Sequence, residues 1–313
     1  LKEIYSRGFI YQSSEIEELD KIMAKRKIFA YIGFDPTSDS LHIGSLVQLM
    51  LLNWLESYGH KPIALMGGGT TLVGDPSGKD ETRKIIQSSE IENNIKKIRP
   101  TFLNFINTKK NGKIINNYKW LEEINYIKFL REIGPKITIN KMMTFDSVKS
   151  RLDREQPLSF LEFNYMILQA YDFLYLNKEY NCDLQLGGSD QWGNILNGID
   201  LIKKISNKKA FAITTPLITN NDGSKMGKTV NGAIWLEKKK LNNYSFYQFW
   251  RNVNDADVEK FLKLFTKLPL KEINKLSKLK DKEINEAKKI LAFEVTKICR
   301  NKESSEEALE ISN

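Results

Sequence analysis

The chain has 313 residues, is 41% hydrophobic and carries 48 Lys+Arg against 39 Asp+Glu, a formal charge of +9. That length buries a sizeable core in roughly two domains, and no apolar run approaches the ~18 residues of a membrane-spanning helix. Two cysteines and two histidines exclude a disulfide framework, a four-cysteine zinc site and an H-E-x-x-H metalloprotease, and no metal site is expected.

The chain begins at Leu1 rather than Met, which points to a trimmed or processed start, and no signal-peptide apolar region is visible. Residues 29–34 read as a buried strand stopped by the turn signal Asp35-Pro36-Thr37-Ser38. Leu46, Leu49, Met50 and Leu52 then follow at helical spacing, with Gly59 as the stop. A second apolar run at 63–66 ends in Gly67-Gly68-Gly69. Strand, helix and strand with short connections predict a βαβ unit and a parallel sheet. Short runs at 114–115, 183–186 and 211–213 add candidate strands. From Asn243 the character changes. Tyr244, Phe246, Tyr247, Phe249 and Trp250 form an aromatic helical segment, read as core packed against the preceding domain. Lysine-rich amphipathic helices follow. The fold class expected is α/β, a Rossmann-like parallel sheet followed by a small all-α domain.

Charge is concentrated late. Residues 263–302 hold twelve Lys+Arg and five Asp+Glu, whereas Glu303, Glu306, Glu307 and Glu310 make the end acidic. A solvated helical face is the plain reading of such a block, and a polyanionic partner the sharper one.

Glycines after a strand suggest a nucleotide, yet residues 67–79 contain no G-x-G-x-x-G. Gly74-Asp75-Pro76-Ser77-Gly78-Lys79 is one residue short of a P-loop, and Asp80 stands where Ser or Thr would hold Mg²⁺. Two other elements fit phosphate better. His42 and Gly44 stand at a strand-to-helix transition, where backbone N–H groups attract anions. Far downstream, Gly223-Ser224-Lys225-Met226-Gly227-Lys228-Thr229 sets two lysines and a hydroxyl on a glycine-rich loop. Either alone is weak. Together, in this order, they are specific.

His42-Ile43-Gly44-Ser45 resembles the H-I-G-H signature of class I aminoacyl-tRNA synthetases, and Lys225-Met226-Gly227-Lys228-Thr229 resembles their K-M-S-K-S loop. Tyr31-Ile32-Gly33-Phe34-Asp35, Gly74 to Lys79, Tyr165-Met166-Ile167-Leu168-Gln169-Ala170-Tyr171-Asp172 and Gly187-Gly188-Ser189-Asp190-Gln191-Trp192 extend the likeness, specifically to the bacterial and organellar tyrosyl-tRNA synthetases. The matches span nearly the whole chain in the family's order.

The resemblance implies a two-step reaction. Tyrosine's carboxylate attacks the α-phosphate of ATP, and the tyrosyl group then passes to tRNA(Tyr). The nucleophile belongs to the substrate, in keeping with the lack of any Ser-His-Asp or Cys-His arrangement. It assigns Tyr31 and Asp172 to the substrate phenol, Asp75, Tyr165 and Gln169 to its ammonium group, and Gln191 to the carboxylate. Tyr165, Gln169 and Asp172 fall on one helix face. Asp190 resembles the ribose ligand, with Asp35, Gly44, Ser45 and Gly188 in the same ATP site. Thr37 and His42 would meet the γ-phosphate, while Lys79, Arg83, Lys225, Lys228 and Thr229 would close over pyrophosphate. Mg²⁺ arrives on ATP and needs no protein cage.

Ser45 in place of the second His predicts weakened ATP affinity rather than lost activity. The expected organisation is a catalytic domain over 1–216, with an insertion and dimer interface at about 120–160, a loop linker over 217–240 and an anticodon-arm-binding helical domain over 241–313. Within the insertion, Met142, Met143 and Phe145 are the interface candidates for a homodimer. The family's further C-terminal RNA-binding domain is expected to be missing, by truncation or natural absence. Lys203, Lys204, Lys208 and Lys209 are candidates to guide the acceptor stem. The compartment implied is a bacterial cytoplasm or an organelle, with no membrane partner. His60 reads as a solvated cap, and Cys182 and Cys299 as packed thiols. Two rivals stay open: a tryptophanyl-tRNA synthetase, and a non-catalytic RNA-binding protein on the same scaffold.

Overall fold

The computed structural model describes residues 1–76, 85–219, 226, 228–229 and 232–312. Six strands build its sheet: β1 (Gln12–Ser13), β2 (Phe29–Phe34), β3 (Lys61–Met66), β4 (Lys113–Asn116), β5 (Cys182–Gly188) and β6 (Phe211–Thr215). They lie in the order β1-β6-β5-β2-β3-β4. All neighbours are parallel except the short β1, which runs antiparallel to β6 and was not apparent from the sequence. Each strand read from the sequence is present; 29–34 keeps its bounds, and the others gain one or two residues at one or both ends.

Strands covered on both faces read as nearly continuous apolar runs, which is why 29–34 and 63–66 stood out. Side chains nevertheless alternate. Ala30, Ile32 and Phe34 of β2 enter one core, and Tyr31 enters the core on the opposite face. The first core receives the helix Leu46–Ser57, which buries eight of its twelve residues, among them Leu49, Leu52 and Trp54. A helix apolar on nearly every side must lie between two layers. The sheet is one layer, and the C-terminal helices are the other. The second core receives the helices Phe160–Tyr180 and Trp192–Ser206.

Five helices, Asn243–Arg251, Val258–Phe265, Leu270–Leu276, Ile284–Cys299 and Lys302–Ser312, form the C-terminal layer. Trp250 is its hub, fully buried and meeting Phe249, Phe261 and Phe265 edge-on with ring centroids 5.1–5.9 Å apart. Phe246 and Tyr247 are buried too, whereas Tyr244 faces solvent. Lys271, Lys275, Lys278, Lys280 and Lys282 of the basic block are exposed. The largest core runs without a break from Ile32 and Leu52 to Trp250 and Leu291, so this layer shares its interior with the sheet.

Two sequence expectations need correction. His60 is buried rather than solvated; its Nδ1 accepts the Ile28 N–H at 3.4 Å, and burial lowers its pKa to about 4. Met142 and Phe145 turn inward onto Val148 and Met166, leaving Met143 exposed. Among the candidate acceptor-stem lysines, Lys204 binds Asp200 and the Lys136 carbonyl, and Lys209 binds Glu15 and Glu18. Those two charges are already engaged within the chain.

Arg7 ties the N-terminal helix Lys2–Ser6 to the C-terminal layer. It is 2% exposed, lies 4.2 Å from the Trp54 ring centroid, and donates to the carbonyls of Lys263 (3.2 Å), Thr266 (3.1 Å) and Leu268 (2.7 Å). These are acceptors at the end of the helix Val258–Phe265, which the helix itself cannot satisfy. Arg7→Met should therefore cost about 2–3 kcal/mol, read as a lowered urea midpoint with unchanged m-value.

Candidate active site

In an open parallel sheet the crevice lies where strand order reverses, outside the carboxyl ends of the strands. Here the chain runs from β2 outward through β3 to β4, then returns to β5 on the other side of β2. A cleft of about 580 Å³ opens above that point.

The loop after β2 brings Asp35, Thr37, His42, Gly44 and Ser45 to the cleft. His42 caps the helical turn Ile43–Ser45: its Nδ1 accepts the Gly44 N–H at 2.9 Å. That bond uses the Nδ1 lone pair, so the neutral ring keeps its proton on Nε2 and can donate with it. The contact also explains Gly44, because a Cβ there would lie 2.5 Å from the His42 ring. Gly67 is held to glycine more strictly still, since its Cβ would fall 2.1 Å from Asp35 Oδ1.

Asp75, Tyr165, Gln169, Asp172, Gly188, Asp190, Gln191 and Tyr31 line the same cleft. Thus all thirteen candidates that fall within the described side chains and backbone converge on one space. Lys79, Arg83 and Lys225 lie outside the described residues, as do the side chains of Lys228 and Thr229. Tyr165, Gln169 and Asp172 come from the helix Phe160–Tyr180, opened by a capping box between Ser159 and Glu162. The Tyr165 hydroxyl donates to Asp35 Oδ2 at 2.9 Å, and Gln191 Nε2 donates to Asp75 Oδ2 at 2.9 Å. Three carboxylates, Asp35, Asp75 and Asp172, thereby surround the inner cleft. A ligand cation is favoured there.

Asp172 is the deepest of them, 3% exposed. Trp120 Nε1 donates to one of its oxygens at 2.7 Å and Asn117 Nδ2 to the other at 2.8 Å. Burial pushes its carboxyl up to about 7 against the pull of those two bonds, and the Asp35 charge adds to the rise. Beside it the Tyr31 hydroxyl is buried and has no hydrogen-bond partner among the described residues. Burial, with the Asp172 charge, raises the Tyr31 phenol well above its ordinary value. A partnerless buried hydroxyl next to a buried carboxylate is costly unless a ligand completes it.

Several groups of the site were not found from sequence. Trp120 and Asn117 orient Asp172, and Thr70 donates to Asp35 Oδ1 at 2.9 Å. Asn194 donates to Gln169 Oε1 at 3.1 Å, and Trp235 walls the cleft beside His42. A faint signal existed for one of them: Asn117 follows directly on a strand, where sheet-end polar residues meet ligands.

A family model described as tRNA synthetases class I (W and Y) matches residues 23–313. The chain belongs to this family. A tyrosine–tRNA ligase of Xanthobacter autotrophicus is 55% identical over 312 residues, covering 100% of this chain and 75% of the relative. One from Pelagibacter ubique is 54% identical, covering 99% and 76%. Among solved structures, a C-terminally truncated mitochondrial tyrosyl-tRNA synthetase of Aspergillus nidulans superposes with TM-score 0.90 at 29% identity, covering 99% of this chain and 92% of that one. A tryptophanyl-tRNA synthetase of Encephalitozoon cuniculi shares the fold at TM-score 0.72 and 15% identity, covering 98% and 87%. Fold alone therefore does not separate the two amino acids within this family.

The Asp172 proton is held more tightly in the folded chain than in the unfolded one. Its contribution to stability accordingly falls as pH rises from 3.8 to about 7. Asp172→Asn removes that term, so the ligand-free variant should show a shallower decline of urea midpoint than the wild type across this window.

Proposed function

We infer that this chain is a tyrosine–tRNA ligase, activating L-tyrosine with ATP and then passing the tyrosyl group to the 3′ end of tRNA(Tyr). The observation that carries this reading is the pairing of the partnerless Tyr31 hydroxyl with Asp172, whose oxygens already accept from Trp120 and Asn117. A phenol satisfies both groups at once, donating to Asp172 while accepting from Tyr31. An indole N–H only donates and leaves Tyr31 unpaired. A phenyl ring does neither, and sites built around a hydroxyl reject it by about 10⁴–10⁵, tyrosyl-tRNA synthetases being the general example of this effect.

With the phenol at that end, the substrate ammonium falls among Asp75, Tyr165 and Gln169, and its carboxylate near Gln191. The carboxylate attacks the α-phosphorus, the bond to the bridging oxygen breaks, and pyrophosphate leaves with the charge. No protein nucleophile takes part. Catalysis consists of positioning and of stabilising charge that grows in the transition state. His42 and Thr37 supply donors at the outer phosphate, and Lys79, Arg83, Lys225, Lys228 and Thr229 are assigned to the departing pyrophosphate. Asp35, Gly44, Ser45, Gly188 and Asp190 hold the adenosine part, with the Ser45 hydroxyl standing where relatives of the signature carry imidazole.

ATP enters as its magnesium complex, the ion resting on phosphate oxygens. Among the described residues no group of three His, Cys, Asp or Glu could cage a metal ion, and the side chains assigned to the phosphate end are donors rather than cation ligands. The exposed lysines of 271–282 offer the helical layer's surface for the tRNA backbone. A bacterial cytoplasm or an organelle is the compartment that suits bacterial relatives and a mitochondrial structural neighbour.

Tyrosine-dependent ATP–pyrophosphate exchange tests the reading. Tyrosine should stimulate exchange and tryptophan should not; stimulation by tryptophan, or silence with both, would select one of the two rivals. Asp172→Ala should weaken tyrosine binding by at least about 10²-fold while the far-ultraviolet circular dichroism is retained.

A homodimer is part of the same reading. Ile127, Ile139 and, at its end, Phe160 of the insertion are 66–71% exposed, an amount of bare apolar surface that favours a partner. Analytical ultracentrifugation at micromolar concentration should give a dimer, and Ile127→Asp a monomer.

A further inference from the structure

His42 and Thr37 belong to a stretch between β2 and the turn at Ile43 that has no regular structure of its own. A strip over residues 234–241 holds it from outside. The Ile43 N–H donates to the Ile234 carbonyl at 2.9 Å, and the Leu236 N–H donates to the Leu41 carbonyl at 2.8 Å. Between those bonds His42 and Trp235 form a one-residue antiparallel bridge, their rings meeting edge-on at 6.3 Å. Lys240 pairs with Asp39 at 2.6 Å, fastening the loop that bears Thr37. Reacting groups are thus only as well placed as this strip.

The strip is held on its other side by Arg300, which ends the helix Ile284–Cys299. The guanidinium donates to the Leu241 carbonyl at 2.6 Å, to the Trp235 carbonyl at 3.5 Å and to Asn243 Oδ1 at 2.9 Å, and lies 4.4 Å from the Phe246 ring centroid. Among the described residues it forms no ion pair. Burial lowers its pKa to about 10, so it stays charged at neutral pH. Burying a guanidinium without a carboxylate is costly. Its donors go to both ends of one short strip, and that strip is bridged through Trp235 to His42.

We propose that Arg300 is a positioning residue for adenylation: it clamps the 235–241 strip and through Trp235 sets the place of His42, without touching substrate. This rests on the tyrosine-activation reading. Loosening the clamp displaces groups that act on the phosphates and leaves the Tyr31–Asp172 pocket as it was. The consequence is a split between turnover and amino-acid affinity.

The test compares Arg300→Met, Arg300→Lys, His42→Ala and the double variant His42→Ala with Arg300→Met, in tyrosine-dependent pyrophosphate exchange. A displacement of about 1 Å can cost about 10²-fold, so a partial relaxation in Arg300→Met should lower kcat about tenfold. Tyrosine Kd, measured without ATP, should move less than about twofold, and Arg300→Lys should recover part of kcat by restoring a charge and a donor. In the His42→Ala background the Met substitution should cost less than about twofold, because the group it acts through is gone. Unchanged kcat, a tenfold loss repeated in that background, or a matching loss of tyrosine affinity would each overturn the proposal. Should Arg300→Met fail to fold, Arg300→Lys carries the same kcat-against-Kd comparison. Absence of exchange in the wild type would overturn the activation reading itself, and this inference with it.

Discussion

Strand order reverses at β2, and the two halves of the sheet part above the carboxyl ends of β2 and β5. The cleft is lined by chain leaving the carboxyl ends of β2 to β6, by the helix Phe160–Tyr180 and by Trp235 of the later strip. The helical turns Ile43–Ser45 and Ser189–Gln191 both begin there, and each runs on into a long helix, Leu46–Ser57 and Trp192–Ser206. Two helix N-termini, with the positive ends of their dipoles, consequently share one rim, although the N–H groups of Ile43, Gly44 and Ser45 are bonded within the chain. The sheet thus makes an anion-attracting outer cleft before any side chain is considered.

Side chains then give the cleft a direction. Its inner part carries Asp35, Asp75 and Asp172; its outer part carries Thr37, His42 and the helix starts. On the proposed reading, the cationic group of the amino acid and the anionic phosphates of the nucleotide occupy opposite halves. Asp35 links the two, accepting from Tyr165 and Thr70 and standing where a residue at Gly67 would otherwise intrude. The innermost carboxylate, Asp172, is the most expensive to keep charged, and Trp120 and Asn117 lower that cost without removing it. A hydroxyl donor from a ligand completes what the protein leaves unfinished.

Much of this was legible beforehand, for a physical reason that differs by element. The strands of a doubly covered sheet have to be apolar throughout, so 29–34 and 63–66 announced themselves. Tyr165, Gln169 and Asp172 share a helix face by spacing alone. Less accessible were residues whose roles depend on neighbours distant in sequence. Trp120 reads as an ordinary aromatic until the end of β4 is set beside the helix Phe160–Tyr180, where its N–H meets Asp172. His60 looks like a cap next to Gly59, yet β2 and the preceding Ile28 enclose it. Met142 and Phe145 advertise an outer apolar face that the structure turns inward.

By itself the amino-acid sequence determined the α/β class, the places where strands end in glycine or a turn, and the set of polar residues that ring the cleft. The first two follow from local periodicity and residue chemistry, and the third from the resemblance of the chain's motifs to those of the synthetase family. Tertiary structure decided which carboxylate is buried, which hydroxyl lacks a partner, and which cation holds the strip behind His42. Those are matters of burial and distance, and they arise only when Trp120, Asn117 and Arg300 are brought by packing to groups 52 to 65 positions away along the chain.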